Sequence, residues 1–111
     1  FTSDQIKDLI ERKNSLGGIF DIDNKIFFVK KEEEKTQASD FWNDSKEAEK
    51  HLKNISSIKK WITEFEIVNN NVDDLEILYD FYKDKQATED EIVEKFNITK
   101  SSIEIESVLY S

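Results

Sequence analysis

Residues 44–85 form the longest segment of regular apolar spacing in the chain, DSKEAEKHLKNISSIKKWITEFEIVNNNVDDLEILYDFYKDK. Its apolar residues recur at every third or fourth position, the spacing of one face of an α-helix. They are Ala48, Leu52, Ile55, Ile58, Ile62, Phe65, Val68, Val72, Leu75, Tyr79 and Tyr82. Because neither Gly nor Pro interrupts them, the stretch predicts a single helix of roughly 40 residues, on the order of 60 Å long. Asn69-Asn70-Asn71 is its weakest point, since Asn competes for backbone hydrogen bonds.

A first helix is predicted upstream, from about Ser3 to Leu16. Thr2 and Gln5 form a capping box before it, and Gly17-Gly18 is expected to end or bend it. The stripe of this helix consists of Ile6, Leu9, Ile10, Lys13 and Leu16.

A second helix is predicted from about Asp21 to Gln37. The local run Ile26–Val29 is also compatible with a strand, but helix is favoured because the spacing of three and four extends beyond that run. The expected stripe is Ile19, Ile22, Ile26 and Val29, widened by Phe20 and Phe27.

The last helix is predicted to open with a capping box at Thr88 and Glu91, and the long third helix with Asp44 and Glu47. The stripe of the last helix is Ile92, Val93, Phe96, Ile103 and Leu109. Residues 97–99 and 103–105 within it also have a pattern typical of strands. The chain 1–111 is therefore predicted to be one all-α domain. We expect an extended antiparallel bundle with coiled-coil character, in which three to four helices include one very long helix.

Composition narrows the class of protein. The chain has no Cys, no Pro, only two Gly and a formal net charge of −9. Because Cys is absent, we expect no disulfides. Because no apolar run approaches about 20 residues, we expect no membrane insertion and a cytoplasmic location. Because the chain starts at Phe1 and contains no Met, we expect it to be a piece of a longer protein.

The chain offers few candidates for catalysis. His51 is the only histidine and has no Cys or second His with which to bind a metal ion, so we expect it on a solvated face. The acidic runs 32–34 and 89–91 resemble a helix surface and a helix start. Gly17-Gly18 lacks the spacing of a phosphate-binding loop. We therefore predict no enzymatic activity, metal ion, cofactor or small-molecule substrate.

Two surface features remain. On a helix, Lys46, Lys50, Lys53 and Lys60 fall within about 80° of one another, and they form a candidate docking stripe for an acidic or phosphate-bearing partner. An ordinary solvated face is the alternative. Phe41 and Trp42 lie together before the long helix and are predicted to be a structural corner buried against the second and third helices. Trp61, Tyr79, Phe81 and Tyr82 are predicted to be core side chains rather than a stacking platform.

The order of these motifs resembles the N-terminal domain of bacterial peptide chain release factor 2. The resemblance spans essentially the whole chain, is strong in residues 15–55 and is weaker after Lys95. It rests on Ser15-Leu16-Gly17-Gly18-Ile19-Phe20-Asp21, Asp23, Lys25, Glu32-Glu33, Asp40-Phe41-Trp42-Asn43-Asp44 and Ala48, and further along on Tyr79-Asp80-Phe81-Tyr82-Lys83-Asp84.

The resemblance implies a domain of a termination factor that reads UGA and UAA codons. In that family, a Gly-Gly-Gln motif for hydrolysis and a Ser-Pro-Phe motif for reading lie in later domains. This domain would be a ribosome-docking arm near the large-subunit stalk base, where translational GTPases also act. A stand-alone coiled-coil scaffold or chaperone-like binding module is the alternative. A small helical enzyme is a third, disfavoured reading.

Overall fold

The computed structural model describes residues 2–110 and is built from helices. Helix α1 spans Ser3–Phe20, α2 spans Ile22–Lys35, α3 spans Ser45–Lys83 and α4 spans Glu89–Tyr110, and a short 3-10 helix spans Phe41–Asn43. No strand occurs within the described residues. The predicted all-α bundle with one dominant helix is confirmed, and α3 is 39 residues long.

Side-chain caps are present, as predicted, at the starts of α3 and α4. The Glu91 N–H donates to Thr88 Oγ1 (3.1 Å), and the Thr88 N–H donates to Glu91 Oε1 (3.4 Å), so the reciprocal capping box of α4 is present. At α3, the Glu47 N–H donates to Asp44 Oδ1 (3.2 Å). Both caps satisfy backbone donors that a helix start leaves without an intrahelical acceptor.

Helix α1 begins as predicted but ends later. The Thr2 N–H donates to Gln5 Oε1 (2.9 Å), which is one half of the predicted capping box. The prediction that Gly17-Gly18 ends the helix is wrong, because both glycines lie inside α1. A helical Gly costs only about 1 kcal/mol relative to Ala, too little to stop a helix whose neighbours are buried. The chain turns instead at Asp21, whose backbone is left-handed (φ 55°, ψ 48°).

The first of two compact units contains, of the described residues, 2–20 and 64–110. Within it, α1 packs against α4. Contacts with α3 pair Lys13 Nζ with Asn69 Oδ1 (3.1 Å) and the ring of Phe20 with that of Phe65 (6.0 Å), so α1 and α3 are antiparallel. The apolar core of this unit is Ile6, Leu9, Leu16, Phe20, Val68, Val72, Leu75, Ile92 and Ile103.

The asparagine run of α3 does not interrupt the helix. Asn71 Oδ1 accepts a hydrogen bond from Lys95 Nζ (3.0 Å), and the Asn71 carbonyl oxygen accepts one from Thr99 Oγ1 (3.3 Å). Thr99 is fully buried, and its hydroxyl also lies 2.8 Å from the Lys95 carbonyl oxygen. Together with the bond from Lys13 to Asn69, these contacts give α3 polar links to both of its neighbours in this unit.

The second compact unit comprises Asp21–Thr63, and its core is smaller. Its buried apolar residues are Ile22, Val29, Ala48 and Ile55. The predicted stripe of the second helix is partly wrong, because Ile19, Ile26 and Phe27 are exposed. Ile22 and Val29 are seven residues apart and lie on one narrow face of α2. A helix packed against a single neighbour needs only such a narrow stripe.

Most of the predicted stripe of α3 is buried or half-buried, and Leu52 is the exception at 38% exposed. In α4, Ile92 and Ile103 are buried as predicted, whereas Val93 and Leu109 are exposed. The segments 97–99 and 103–105, whose pattern is also typical of strands, are helical.

Candidate functional site

The corner between α2 and α3 is a chain of tight turns. Helix α2 ends as the Thr36 N–H and hydroxyl both donate to the Glu33 carbonyl oxygen (3.1 and 2.6 Å). The Phe41 N–H then donates to the Ala38 carbonyl oxygen (3.1 Å), and the backbone becomes extended at Asp44 before α3 begins. Short i to i+3 bonds of this kind turn the chain with few residues.

The two aromatic side chains of the corner face different surroundings. Phe41 is half-buried and places its ring 5.4 Å from that of His51. The predicted burial of Trp42 is wrong, since this residue is 57% exposed. Successive residues of a 3-10 helix diverge by about 120°, so one ring of an adjacent pair turns outward when the other turns inward. The indole packs edge-on against Phe41 with ring centroids 4.8 Å apart, which fixes it at the surface.

His51 is a structural contact rather than a solvated residue. Its Nε2 lies 2.9 Å from Glu32 Oε2 and 3.4 Å from the Glu32 carbonyl oxygen. Both neighbours are hydrogen-bond acceptors, so Nε2 carries the hydrogen. Glu32 also binds Lys35 Nζ (2.8 Å) through Oε1. The expectation of a solvated histidine was wrong, and this carboxylate instead holds two side chains beside the corner.

The four lysines of the predicted docking stripe are all exposed. Lys53 pairs with Glu49 (3.1 Å) one turn earlier on the same helix. Lys46, Lys50 and Lys60 make no ion pair with any residue that the structure describes. Lys59, which sequence analysis left outside the stripe, binds Glu33 of α2 (2.8 Å). The first half of α3 therefore carries an exposed basic ridge, called the lysine ridge below, that consists of Lys46, Lys50, Lys53 and Lys60.

Two recesses flank the lysine ridge. One has a volume of about 610 Å³ and is lined by Lys35, Phe41, Glu47, Ala48, Lys50, His51 and Asn54. The other has a volume of about 470 Å³ and is lined by Trp42, Ser45, Ala48, Glu49, Leu52, Lys53 and Ser56. The second recess, called the Trp42 groove below, has an apolar floor and a polar edge. Of its lining, Leu52 and Glu49 were not singled out as surface residues by sequence analysis.

Other candidates from the sequence contribute no site. Tyr79 and Tyr82 are half-buried with ring centroids 6.2 Å apart, and Trp61 is half-buried too, whereas Phe81 is 47% exposed. Glu91 serves as a helix cap. Within residues 2–110, no group of three or more His, Cys, Asp or Glu side chains is arranged to hold a metal ion.

Known proteins offer no further guide. The helices of residues 2–110 are each too short or too polar to cross a membrane. Comparison of the chain with protein-family models, with curated proteins and with solved structures found no match. The residues of the corner, the lysine ridge and the two recesses therefore carry the functional argument.

Proposed function

We propose that this chain is the N-terminal helical domain of a class I translation termination factor of the release factor 2 type. It serves as a docking arm on the bacterial ribosome, near the large-subunit stalk base. The observation that carries the proposal is the surface-fixed Trp42 beside the lysine ridge, within the segment Asp40–Asp44 that resembles the family's motif. An exposed indole next to exposed lysines is typical of a binding interface, where Trp is enriched.

The arm contributes binding rather than chemistry. The hydrolysis motif and the codon-reading motif of the family are absent from this chain, since Gly17-Gly18 is followed by Ile19 and the chain contains no Pro. Recognition of UGA and UAA codons and release of the peptide would belong to other domains of the same cytoplasmic factor. A translational GTPase that acts near the stalk base is a second partner for the arm.

Ribosome binding tests the proposal. Co-sedimentation of the chain with bacterial ribosomes is expected, and binding should weaken as salt screens the attraction. Changing Lys46, Lys50, Lys53 and Lys60 to Glu should weaken it by about 10-fold or more. The matched control changes four exposed lysines elsewhere by the same total charge, namely Lys7, Lys30, Lys85 and Lys100.

Two outcomes would contradict the proposal. One is equal loss of ribosome binding in both charge variants, because the effect would then follow net charge and not the lysine ridge. The other is absence of binding by the unmodified chain. A separate check is that purified chain should not release peptide from a ribosome stalled at a UGA codon, because the domain lacks both working motifs.

A stand-alone scaffold is the second candidate, and one observation favours it. Ile67, Ile77 and Phe81 of α3 are about half exposed in the first compact unit, a surface suited to self-association. Sedimentation equilibrium distinguishes the two functions. A stable oligomer that dissociates on changing Ile77 to Asp, without ribosome binding, would favour the scaffold.

A further inference from the structure

We infer that the Trp42 groove is a docking site for an acidic amphipathic helix of a partner protein. One bulky apolar side chain of that helix enters the groove, and its carboxylates face Lys46 and Lys53. The inference deepens the proposed function and rests on it in one respect, the choice of this face as the docking face. It names the class of partner, a protein segment, and the side chains that recognise it.

The shape of the groove fits a helix. Its wall on α3 runs from Ser45 to Ser56, three helical turns and on the order of 17 Å. The floor is formed by Ala48, which is buried, by Leu52 and by the Trp42 indole. An amphipathic helix binds such a groove through apolar anchors spaced three and four residues apart. The edge-on contact with Phe41 holds the indole in place before a partner arrives, which lowers the entropy lost on binding.

Charge complementarity indicates that the docking segment of the partner is acidic. Lys53 and Glu49 line the groove, and with about 100° per residue Lys46 lies on the same side of α3 as Lys53. Glu49 is paired with Lys53 (3.1 Å), whereas Lys46 makes no ion pair with any described residue. Lys53 and Glu49 offset each other, so the exposed Lys46 gives this side of α3 its net positive charge, on a chain whose formal charge is −9. A helix with carboxylates beside its apolar anchor meets cations there, and a basic helix would be repelled.

The same residues favour protein over RNA. Trp42 is an exposed ring on which a base could stack, but the floor beside it is aliphatic, with Leu52 and Ala48. RNA binding draws its affinity from several cations that neutralise successive phosphates. Here Lys53 is paired with Glu49, and Glu47 is exposed on the same turn as Lys46. The mixture of apolar floor and few cations matches an amphipathic segment.

Selection from a library of helical peptides, in which anchor and charge positions vary, tests the inference on the whole chain. The expected result is enrichment of acidic peptides that carry Leu, Ile, Phe or Met at one face. Their affinity should fall about 10-fold or more for Trp42→Ala and for Leu52→Ser, and by a smaller factor for Lys46→Glu. Phe27→Ala is the matched control, an exposed aromatic on α2 whose loss should leave affinity unchanged.

Fluorescence provides an independent readout. In a Trp61→Phe chain, Trp42 is the one remaining tryptophan, and its emission should shift to shorter wavelength when an enriched peptide covers it. Circular dichroism confirms that each variant is folded. Enrichment of basic or uncharged peptides, no enrichment at all, or binding that Trp42→Ala leaves intact would overturn the inference. Displacement of the peptide by single-stranded RNA with higher affinity would do the same and assign the groove to RNA.

Failure of the inference is distinguishable from failure of the proposed function. If ribosomes bind the chain through the lysine ridge while no acidic peptide is enriched, the docking-arm proposal is supported and the inference of an acidic helix as partner is contradicted. If acidic peptides bind at Trp42 but ribosomes do not bind the chain, the Trp42 groove is supported as a docking site and the termination-factor proposal is contradicted.

Discussion

The two compact units of this chain use the same long helix in different ways. In the first unit, α3 contributes Val68, Val72 and Leu75, all fully buried. In the second unit, it contributes Ala48 and Ile55 to a core of four buried residues, while Leu52 remains partly exposed. The first unit surrounds its part of α3 with two helices, and the second packs its part against α2. The number of neighbouring helices therefore sets how wide an apolar stripe each part of α3 can bury.

This difference accounts for where the candidate site lies. In the second unit, the narrow core leaves Leu52 and the Trp42 indole at the surface, where both line the Trp42 groove. Elements of low local stability also supply binding surfaces more readily. In the proposed function, recognition belongs to residues 21–63, whereas the larger core of residues 2–20 and 64–110 contributes most of the stability.

The largest expected difference between the two units concerns a pair of leucines on the same helix. Leu75→Ala removes a fully buried side chain and should lower the free energy of unfolding by about 3–5 kcal/mol, through lost transfer energy and a cavity. Leu52→Ala removes a side chain that is 38% exposed and should cost about 1 kcal/mol or less. Urea denaturation measures both.

Trp42→Ala extends that test to the corner. Because the indole is mainly exposed, we expect a loss of about 1 kcal/mol or less, in place of the several kcal/mol that a buried Trp would cost. Equal losses at Leu75 and Leu52, or a large loss at Trp42, would show that the second unit is as tightly packed as the first.

A pair of adjacent glycines gives the next largest effect and tests packing inside the first unit. A Cβ added at Gly17 would lie 3.0 Å from Phe65 Cζ, whereas one added at Gly18 meets nothing within 4 Å. Phe65 packs on the fully buried Phe20, so its ring has little room to withdraw. Gly18→Ala should therefore stabilise by about 0.5–1 kcal/mol through helix propensity. Gly17→Ala should destabilise by about 1 kcal/mol through overpacking.

Thermal unfolding of the two variants checks this prediction, because they add the same methyl group one residue apart. A melting temperature that rises equally in both would mean that Phe65 moves freely and that α1 and α3 are loosely packed. Circular dichroism of each variant at low temperature controls for an unchanged helix content.

These glycines also show what the sequence predicts and where it stops. Spacing of apolar residues predicts α3 and the capping boxes, because periodicity and caps are local properties of the chain. Spacing cannot tell that α1 continues through Gly17, since the energy that favours continuation comes from contacts with Phe65 and the core. For the same reason the stripe of α2 was overestimated: Ile26 and Phe27 fit the helical period, but only one neighbouring helix is present to cover that face.

The candidate site was predicted in outline and corrected in detail. The four lysines of the stripe are exposed as expected on a helical wheel, which needs no tertiary information. The outward turn of Trp42 and the contact of His51 with Glu32 depend on a 3-10 corner and on a residue 19 positions away. Neither has a local sequence signal.

Helix caps provide a smaller test of the same contrast. The start of α4 in the first unit has a reciprocal capping box between Thr88 and Glu91, whereas the start of α3 in the second has one bond from the Glu47 N–H to Asp44. Thr88→Ala should cost about 1 kcal/mol and Asp44→Ala about 0.5 kcal/mol. Urea denaturation of both variants gives the order, and a larger loss at Asp44 would contradict it.

The smallest expected effect concerns two residues in left-handed backbone conformation, one in each unit. Lys85, which follows α3, has φ 61°, and the Gln86 N–H donates to the Phe81 carbonyl oxygen (2.7 Å) to close a Schellman turn. A residue with a Cβ is strained in this conformation by about 1–2 kcal/mol, and replacing Lys85 by Gly removes that strain. The greater conformational entropy of Gly in the unfolded chain offsets part of the gain in stability. We expect Lys85→Gly to stabilise by about 0.5–1 kcal/mol.

Asp21 is the matched case, with φ 55° before α2. Asp tolerates this conformation better than Lys, and its Oδ1 accepts a hydrogen bond from Asn24 Nδ2 (2.8 Å) that Gly would remove. Asp21→Gly should therefore change the melting temperature little or lower it, while Lys85→Gly raises it. If both variants raise the melting temperature equally, the hydrogen bond to Asn24 contributes nothing to the turn at Asp21, and backbone strain alone determines how each substitution changes stability.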